Sequence, residues 1–366
     1  MGTYLLRRLL FIIPTLLGIM TINFLIIQAA PGGPVEQTIA MIQCFSTDAT
    51  ERISGSGMSE TMDSNQNSQL NGKYRGAQGL DPELIADLER MYGFDKPMHE
   101  RFLKMIRSYL RFDFGESFYR DQKVVDLVRE KMPVSISLGL WTTLFVYCIS
   151  IPLGIKKAVR DGSQFDVWTS SIIIVGYAIP GFLFAIFLIV VFAGGHYLDW
   201  FPLRGLTSTN WEGMSYFEKV IDYFWHLFLP ISAMLISGFA SLTLLTKNSF
   251  LDEINKLYVV TARAKGLTEG RILYGHVFRN AMLIVIAGFP GAFVNIFFTG
   301  SMLTEIIFSL DGLGLLGYEA AIGRDYPVMF ATLYFFTLLG LVMQLIGDMT
   351  YTLIDRRIDF NSRENR

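Results

Sequence analysis

Six long apolar runs constrain the fold of this 366-residue chain more than any other feature. The runs cover approximately residues 9–29, 134–155, 167–193, 227–246, 281–308 and 328–354. About 20 helical residues suffice to cross the hydrocarbon core of a bilayer, and each run has at least that length. Because lipid offers the backbone no hydrogen-bonding partner, each run must satisfy its own amides as a helix. The runs therefore predict an all-α, polytopic membrane protein with six transmembrane helices.

Composition narrows the functional classes. Charged residues make up 17% of the chain, less than the quarter or so that is typical of soluble domains. The net charge of −2 provides no general attraction for nucleic acid. Cys44 and Cys148 do not suggest a disulfide framework, and the four histidines are scattered. We therefore expect no nucleic-acid partner and no metal site.

The first run follows Arg7-Arg8 and ends near Gln28-Ala-Ala, a pattern that also occurs in cleavable signal peptides. The apolar core of such a peptide usually has about 7–15 residues, and this run is longer. We therefore expect residues 1–30 to remain as an N-terminus and first transmembrane helix.

Basic residues are distributed unevenly among the loops and predict the orientation of the chain. They are concentrated before the first run, between the second and third, between the fourth and fifth, and after the sixth. The alternate short loops carry only Arg204, Lys219 and Arg324. Because Lys and Arg favour the cytoplasmic side, both termini and the loop 247–280 are expected in the cytoplasm.

A long loop, 31–133, separates the first two runs and is expected on the outer side, because long loops translocate regardless of charge. Its part 46–79 is rich in Ser, Gly, Asn and Gln and is interpreted as a flexible insertion. Helix starts at Asp81-Pro82 and at Pro97 are followed by apolar residues at helical spacing. Two amphipathic helices are thus predicted, which either pack on the membrane bundle or form a docking surface for another protein.

The loop between the fourth and fifth runs has a pattern of its own. It reads Tyr258-Val-Val-Thr-Ala-Arg-Ala-Lys-Gly266 and continues to His276-Val-Phe-Arg-Asn280. Small side chains allow a helix to approach a partner closely, and Gly266 can end such a helix by turning the chain. The residues alone leave two readings open: a basic loop that only fixes topology, or a docking contact.

This loop resembles the cytoplasmic signature of binding-protein-dependent ABC importer permeases, in particular the peptide-importer branch. Further resemblances occur in order at 24–32, 92–97, 112–117, 304–314, 324–328 and 348–357. Three features depart from the family pattern: Asp311 and Arg356 stand where the family usually has Pro, and the insertion 46–79 is not standard. The long outer loop and the Gly-Leu-Gly-Leu-Leu-Gly-Tyr sequence are most similar to permeases linked to longer peptides and microcin C-type peptide antibiotics.

The resemblance implies an ABC type I importer permease fold in a bacterial inner membrane, with a core at 134–366. It assigns a coupling contact with an ATPase to Tyr258, Thr261, Ala262, Arg263, Ala264, Lys265, Gly266 and Arg279. It implies a second, homologous permease as heterodimer partner, two ABC ATPases or one fused ATPase, and a periplasmic peptide-binding protein. Peptide would pass between the permeases, and ATP with Mg would be bound by the ATPases, leaving this chain without a cofactor.

One nucleotide motif is misleading and another is missing. Gly312-Leu-Gly-Leu-Leu-Gly317 has the spacing of a dinucleotide-binding turn, but it joins two membrane runs rather than a strand and a helix. Its glycines are expected to permit a tight re-entry of the chain. No Gly-x-x-x-x-Gly-Lys-Ser/Thr sequence occurs, so the chain has no phosphate-binding loop of that type. If ATP drives transport, the ATPase is a separate polypeptide, and this chain is not an enzyme.

Polar residues inside the apolar runs are candidates for the translocation pathway or its gating. They are Glu305, Asp348, Asn295 and Gln344. A carboxylate in hydrocarbon costs several kcal/mol unless it faces water or a partner, so Glu305 should point into the bundle. Each of these side chains could equally form a structural contact between helices. Pro152, Pro180 and Pro290 are expected to kink their helices.

Two rival functions also have to be weighed. A secondary transporter or channel acting without an ATPase would show paired broken helices from inverted repeats, and the sequence shows no repeat. A membrane enzyme would need several titratable groups at one depth, and Glu305 with Asp348 alone does not form such a cluster. An importer permease is therefore the main hypothesis.

Overall fold

The computed structural model describes residues 2–29, 39, 83, 86–87, 90, 95–195, 197–295 and 301–354. Its helices are α1 (Gly2–Ala29), α2 (Met98–Tyr109), α3 (Val124–Val159), α4 (Gln164–Ala178), α5 (Gly181–Phe192), α6 (Tyr216–Ile254), α7 (Leu257–Ala264), α8 (Glu269–Ile272), α9 (Phe278–Asn295), α10 (Ser301–Ile307), α11 (Leu313–Gly323) and α12 (Tyr326–Ile354). The insertion 46–79, most of the amphipathic helix predicted after Asp81, His196 and Arg356 lie outside the described residues.

Five of these helices, α1, α3, α6, α9 and α12, are long and apolar enough to cross a membrane. The pair α4 and α5 forms a sixth candidate span, which is bent by 91°. Large apolar side chains such as Leu6, Leu10 and Phe11 are exposed along α1, as lipid contact requires. Among the described residues, the six predicted apolar runs therefore correspond to helical spans, and the third is broken; residues 296–300 of the fifth run are not described.

The break in the third run lies at Ile179-Pro180. A proline disfavours the helical conformation of the residue before it, and Ile179 is extended, with φ −84° and ψ 120°. The predicted kink is therefore a full interruption of the helix. Pro152 and Pro290, by contrast, lie inside α3 and α9, which continue through them.

The first of two compact units comprises Met1–Ile13, Val128–Tyr318 and Thr332–Arg366. One apolar cluster joins α3, α6, α7 and α9 around the buried residues Phe250 and Ala281. A second cluster joins α3, α5, α6 and α10 around Leu227 and Phe308. These clusters hold the membrane helices and the short helix α7 together within this unit.

The second unit comprises Pro14–Leu127 and Glu319–Ala331. Its helix α2 begins after Pro97, as the sequence predicted, and has an apolar and a polar face. Phe24 of α1 contacts the ring of Phe102 in α2 at a centroid distance of 5.2 Å. The predicted second amphipathic helix thus packs on the membrane helix α1 of the same unit.

Candidate functional site: the connection between α6 and α9

The connection between α6 and α9 begins with the short helix α7 and its C-terminal turn. The amide of Gly266 donates to the carbonyl of Arg263 at 3.0 Å, and the amide of Leu267 donates to that of Ala262 at 3.3 Å. These two bonds define a Schellman motif, which places a left-handed residue after the helix. Gly266 has a φ of +79°, a conformation that residues with a Cβ disfavour. The helix and glycine ending predicted from the sequence are therefore present.

Helix α7 buries one face and exposes the other. Val259 and Ala262 pack into the apolar cluster around Phe250. The side chains on the opposite face lie in one helical stripe and are exposed. They are Leu257, Val260, Thr261 and Ala264, called below the exposed α7 face. Leu257 is 84% exposed and Val260 54% exposed, so this face is suited to contact with a partner.

Polar side chains attach α7 to the helices on either side. The Tyr258 hydroxyl donates to Glu253 of α6 at 2.7 Å and accepts from the Asn280 amide of α9 at 3.4 Å. Glu253 also accepts a hydrogen bond from Lys256. Burial alone would raise the pKa of Glu253, but the hydrogen bonds from Lys256 and Tyr258 outweigh it and hold the pKa below its usual value. The charged carboxylate therefore anchors the start of α7 firmly.

A π turn, Leu273–Val277, joins α8 to α9. Such turns insert an extra residue and change the side-chain register of the helix that follows. Just beyond it, the Ser249 hydroxyl of α6 donates to the carbonyl of Ala281 at 2.6 Å. The ring of Phe278 contacts that of Phe250 at 6.0 Å. The start of α9 is thus fixed against α6, with Asn280 beside Tyr258.

The structure divides the residues predicted for the coupling contact into two groups. Exposed at the surface are Thr261, Arg263, Ala264, Lys265, Gly266 and Arg279. Ala262 is buried beneath α7, and Tyr258 is half-buried in the anchoring bonds. Arg263 forms two hydrogen bonds to Glu269, of 2.6 and 2.9 Å. The connection therefore presents a small apolar face bordered by Lys265 and by the Arg263–Glu269 ion pair.

A cavity of about 1140 Å³ lies among α6, α9 and α12, next to these anchors. Glu253 and Asn280 belong to its lining, and so do two predicted pathway residues, Gln344 and Asp348. The Asp348 carboxylate pairs with Arg8 of α1. Asn295 is the last residue of α9, and its side chain lies outside the described part of the structure. The cavity therefore brings two of the four predicted pathway residues together.

Glu305 lies elsewhere, where α3, α10 and α11 meet, and its side chain is fully buried. Its carboxylate accepts from the Ser135 hydroxyl and from the amide of Leu315, each at 2.8 Å. The Ser135 oxygen accepts in turn from the Leu313 amide at 2.8 Å. Leu313 and Leu315 belong to the first turn of α11, and a helix N-terminus favours negative charge. The prediction that Glu305 points into the bundle is confirmed.

Gly312 and Gly314 provide the space that this carboxylate occupies. A Cβ at Gly312 would lie 2.3 Å from Cδ of Glu305, and a Cβ at Gly314 would lie 2.9 Å from Cα of Met302. Neither glycine is among those with a positive φ. Close approach of side chain and backbone, rather than the predicted tight turn, is therefore what requires glycine here.

Asp311 precedes these glycines and is one of the departures from the family pattern. Its carboxylate pairs with Lys131 of α3, which is only 7% exposed. Lys131 also contacts Glu130 at 2.7 Å. A nearly buried ammonium needs counter-charge, and Asp311 adds a second carboxylate to that of Glu130. Proline at position 311 could not form this pair.

Sequence reasoning did not single out Leu257, Val260 or Ser135. The first two could have been found, because they precede Thr261 and Ala264 at helical spacing on the same stripe. Ser135 could not, because it lies 170 residues before Glu305 and no local pattern links them.

These features define a multi-pass α-helical membrane protein with an anchored, exposed helix between two of its spans. Residues 150–360 match the family described as "Binding-protein-dependent transport system inner membrane component". This match covers more than half of the chain, and the chain belongs to that family. It is therefore a membrane permease subunit, and ATP hydrolysis resides in separate subunits of such systems.

Two relatives and one solved structure extend this result. The chain is 62% identical to the Peptidoglycan transport system permease protein YejB of Agrobacterium fabrum, with 100% of both chains covered. It is 34% identical to the Oligopeptide transport system permease protein AppB of Bacillus subtilis, over 98% of this chain and 100% of the relative. An inward-facing structure of the MetNI methionine ABC transporter matches with a TM-score of 0.50 and 18% identity, over 63% of this chain and 98% of that chain. The predicted family and importer-permease fold are confirmed.

Proposed function

We propose that the chain is one of two homologous permease subunits of an ATP-driven peptide importer in a bacterial inner membrane. The exposed α7 face carries this proposal. Its apolar side chains remain exposed in the described structure, although hydrogen bonds and buried residues fix the helix itself. An anchored helix with an exposed apolar stripe suits insertion into a groove of another protein.

The partner of this face is an ABC ATPase, as the family resemblance implies. Lys265 and the Arg263–Glu269 ion pair would border the apolar contact with polar groups, which is the usual arrangement of an interface. The Tyr258 anchor joins α7 to both α6 and α9, so a displacement of α7 would reach two membrane helices. Two ATPases, or one fused ATPase, would serve the two permeases.

The orientation of the chain rests on its charge distribution. Lys and Arg are concentrated at both termini, in the connection that contains α7 and in the connection between the second and third apolar runs. They are sparse in the alternate short loops. Positive charge near membrane helices favours the cytoplasmic side. Both termini and α7 are accordingly proposed to face the cytoplasm, where ATP is available to the partner.

The substrate proposed is a peptide that a periplasmic binding protein delivers. The chain's 34% identity to a permease named for oligopeptide transport supports this class. The resemblance in the outer loop extends the proposal to longer and microcin C-type peptides. The name of the 62% identical relative favours a second candidate, peptide-bearing fragments of peptidoglycan. Uptake of a labelled oligopeptide and of a labelled muropeptide by the same transporter distinguishes the two.

The polar residues of the membrane region receive different roles in this proposal. Gln344 and Asp348 would line the pathway, because both face the cavity among α6, α9 and α12. Asn295 of α9 is proposed to join them. Glu305 would instead position the start of α11, because its carboxylate is enclosed by Ser135 and backbone amides.

The ATPase contact is tested by placing a charge on the exposed α7 face. Val260→Asp and Thr261→Asp should each reduce capture of the ATPase by the purified permease at least about tenfold. An uncompensated carboxylate in an apolar contact costs more than the ~1.4 kcal/mol that corresponds to a tenfold change. Capture is measured by co-purification in detergent, and peptide uptake is measured in the same strains.

Thr268→Asp is the matched control, because Thr268 is exposed in the same connection but lies outside α7. It is expected to leave capture and uptake within about twofold of the parent. Normal ATPase capture by both α7 variants would refute the proposed docking face.

A further inference from the structure

Four ionisable side chains meet where α3, α4 and α6 come together. They are Lys157, Asp161, Asp166 and Lys247, called below the Asp166 junction. We propose that Asp166 is a positioning residue that makes the adjoining ends of α3, α4 and α6 move as one body during transport. This inference rests on the proposed function, in which α7 passes a displacement to α6.

Lys157 of α3 holds the start of α4. Its side chain is fully buried, and its ammonium forms an ion pair with the Asp166 carboxylate at 3.0 Å. It also donates to the Asp166 carbonyl at 3.0 Å, to the Thr169 hydroxyl at 2.8 Å and to the Ser170 hydroxyl at 2.7 Å. A buried ammonium with this many acceptors is fixed in direction, so α4 cannot shift relative to α3 without breaking several bonds at once.

Lys247 extends the junction to α6. Its ammonium lies 2.7 Å from one carboxylate oxygen of Asp166 and 2.8 Å from Asp161. Burial alone would lower the pKa of Lys247, but the hydrogen bonds to Asp161 and Asp166 outweigh it and raise the pKa. Asp166 therefore bridges two ammonium groups from two different helices.

Close backbone packing accompanies these charges. A Cβ added at Gly154 of α3 would lie 2.6 Å from Cβ of Thr246 and 2.9 Å from the carbonyl oxygen of Thr243, both in α6. Glycine thus permits α3 and α6 to touch within about one helical turn of Lys157 and Lys247. Charge and close packing both oppose sliding of the two helices at this point.

The junction lies close to the anchors of α7. Helix α6 continues without interruption from Lys247 to Ile254, and Glu253 then holds Tyr258 of α7. Lys247 and Glu253 are about 9 Å apart along the helix axis, at 1.5 Å per residue. A displacement of α7 would therefore reach α3 and α4 through the end of α6 and Asp166.

The test compares Asp166→Asn with Asp161→Asn in the complete transporter, reconstituted with its ATPase and binding protein. Asp166 is nearly buried, whereas Asp161 is half-exposed, so the same substitution is made inside and at the edge of the junction. We expect Asp166→Asn to retain ATPase capture and basal ATP hydrolysis but to lower peptide uptake per ATP at least tenfold. Asp161→Asn should stay within about twofold, and Asp166→Glu should restore part of the uptake.

A distance measurement reports the motion itself. Spin labels at Arg160→Cys and Asn255→Cys, in a background without Cys44 and Cys148, mark the ends of α3 and α6. The distance between them should stay the same with and without trapped ATP in the parent protein and should change with ATP in Asp166→Asn. If Asp166→Asn does not accumulate, Lys247→Gln, which leaves Lys157 paired with Asp166, takes its place in both measurements.

The outcomes separate this inference from the proposed function. Absence of peptide uptake by the parent transporter would refute the proposed substrate class. Normal uptake per ATP and an unchanged distance in an assembled Asp166→Asn transporter would refute the role of Asp166 alone. A change in the parent distance on trapping ATP would equally refute it.

Discussion

Glu305 and Asp166 are both carboxylates withdrawn from water, yet the protein stabilises them by different means. Glu305 accepts from the Ser135 hydroxyl and from a backbone amide of α11, in space left by Gly312. Asp166 is bridged by the ammonium groups of Lys157 and Lys247. The first site depends on the shape of the backbone around it, and the second depends on charge balance.

Helix α3 takes part in both sites. Ser135 lies at the start of the apolar run 134–155 of this helix, and Lys157 lies just after the end of that run. The two residues are about 33 Å apart at 1.5 Å per residue, which is close to the thickness of a bilayer core. One membrane span is thus held at one end by neutral donors and at the other by ions. The comparison teaches that a buried carboxylate can be satisfied by neutral donors at one end of a membrane span and by ammonium groups at the other.

The largest expected effect comes from removing the two carboxylates in turn. Asp166→Asn should destabilise the protein by about 3–5 kcal/mol, because it leaves the buried Lys157 ammonium without a counter-ion, whereas Lys247 keeps Asp161. Glu305→Gln should lower the free energy of unfolding by about 1–3 kcal/mol. One carboxylate oxygen is replaced by an NH₂ group, so either the Ser135 hydroxyl or the Leu315 amide loses its acceptor. Tryptophan fluorescence during unfolding in detergent measures the free energy of unfolding of both variants. Asp161→Asn, at a half-exposed position, should cost less than about 1 kcal/mol.

The reverse order of the two effects would contradict the division into a charge-dependent and a shape-dependent site. An equal, small effect of both substitutions would show that water enters both sites.

The next expected effect concerns the space around Glu305. Gly312→Ala should cost about 1–3 kcal/mol, because its Cβ would occupy the position of the carboxylate. In a Glu305→Ala background the same substitution should cost far less, since the space is then vacant. The double-mutant cycle of unfolding free energies should give a coupling of about 0.5–3 kcal/mol.

Gly317→Ala is the control for this cycle, because the nearest heavy atom to a Cβ at Gly317 would be 3.7 Å away. It should be neutral or slightly stabilising, as alanine favours a helix interior. Strictly additive effects of Gly312→Ala and Glu305→Ala would show that the glycine does not serve the carboxylate.

The smallest expected effect concerns Gly266, where the backbone conformation alone, rather than contacts with other residues, requires glycine. Gly266→Ala should cost about 1–2 kcal/mol, because its φ of +79° is unfavourable for a residue with a Cβ. Gly270→Ala is the matched control, since Gly270 lies in α8 without a positive φ and with open space around it. Unfolding and ATPase capture are measured together. Equal effects of the two substitutions would show that the Schellman turn contributes nothing specific to α7.

Several elements follow from local sequence, and the structure bears this out. The helix after Pro97 and the ending of α7 at Gly266 were predicted because periodicity and turn chemistry act over a few residues. The interruption at Ile179-Pro180 was predicted only as a kink, because the angle between two helix segments depends on what they pack against. The burial of Glu305 was predicted from the cost of a charge in hydrocarbon, but its partners were not.

By itself, the sequence determined that this protein has six apolar spans, a small-residue helix ending at a glycine, and the family to which it belongs. These properties depend on composition and on neighbours along the chain. Tertiary structure alone decided that Glu305 caps α11, that Asp311 pairs with Lys131, and that Asp166 joins Lys157 to Lys247. Ser135 and Glu305 are 170 residues apart, and Asp166 and Lys247 are 81 apart. Such pairs arise only when helices pack, because burial then makes each charge and each donor require a specific partner.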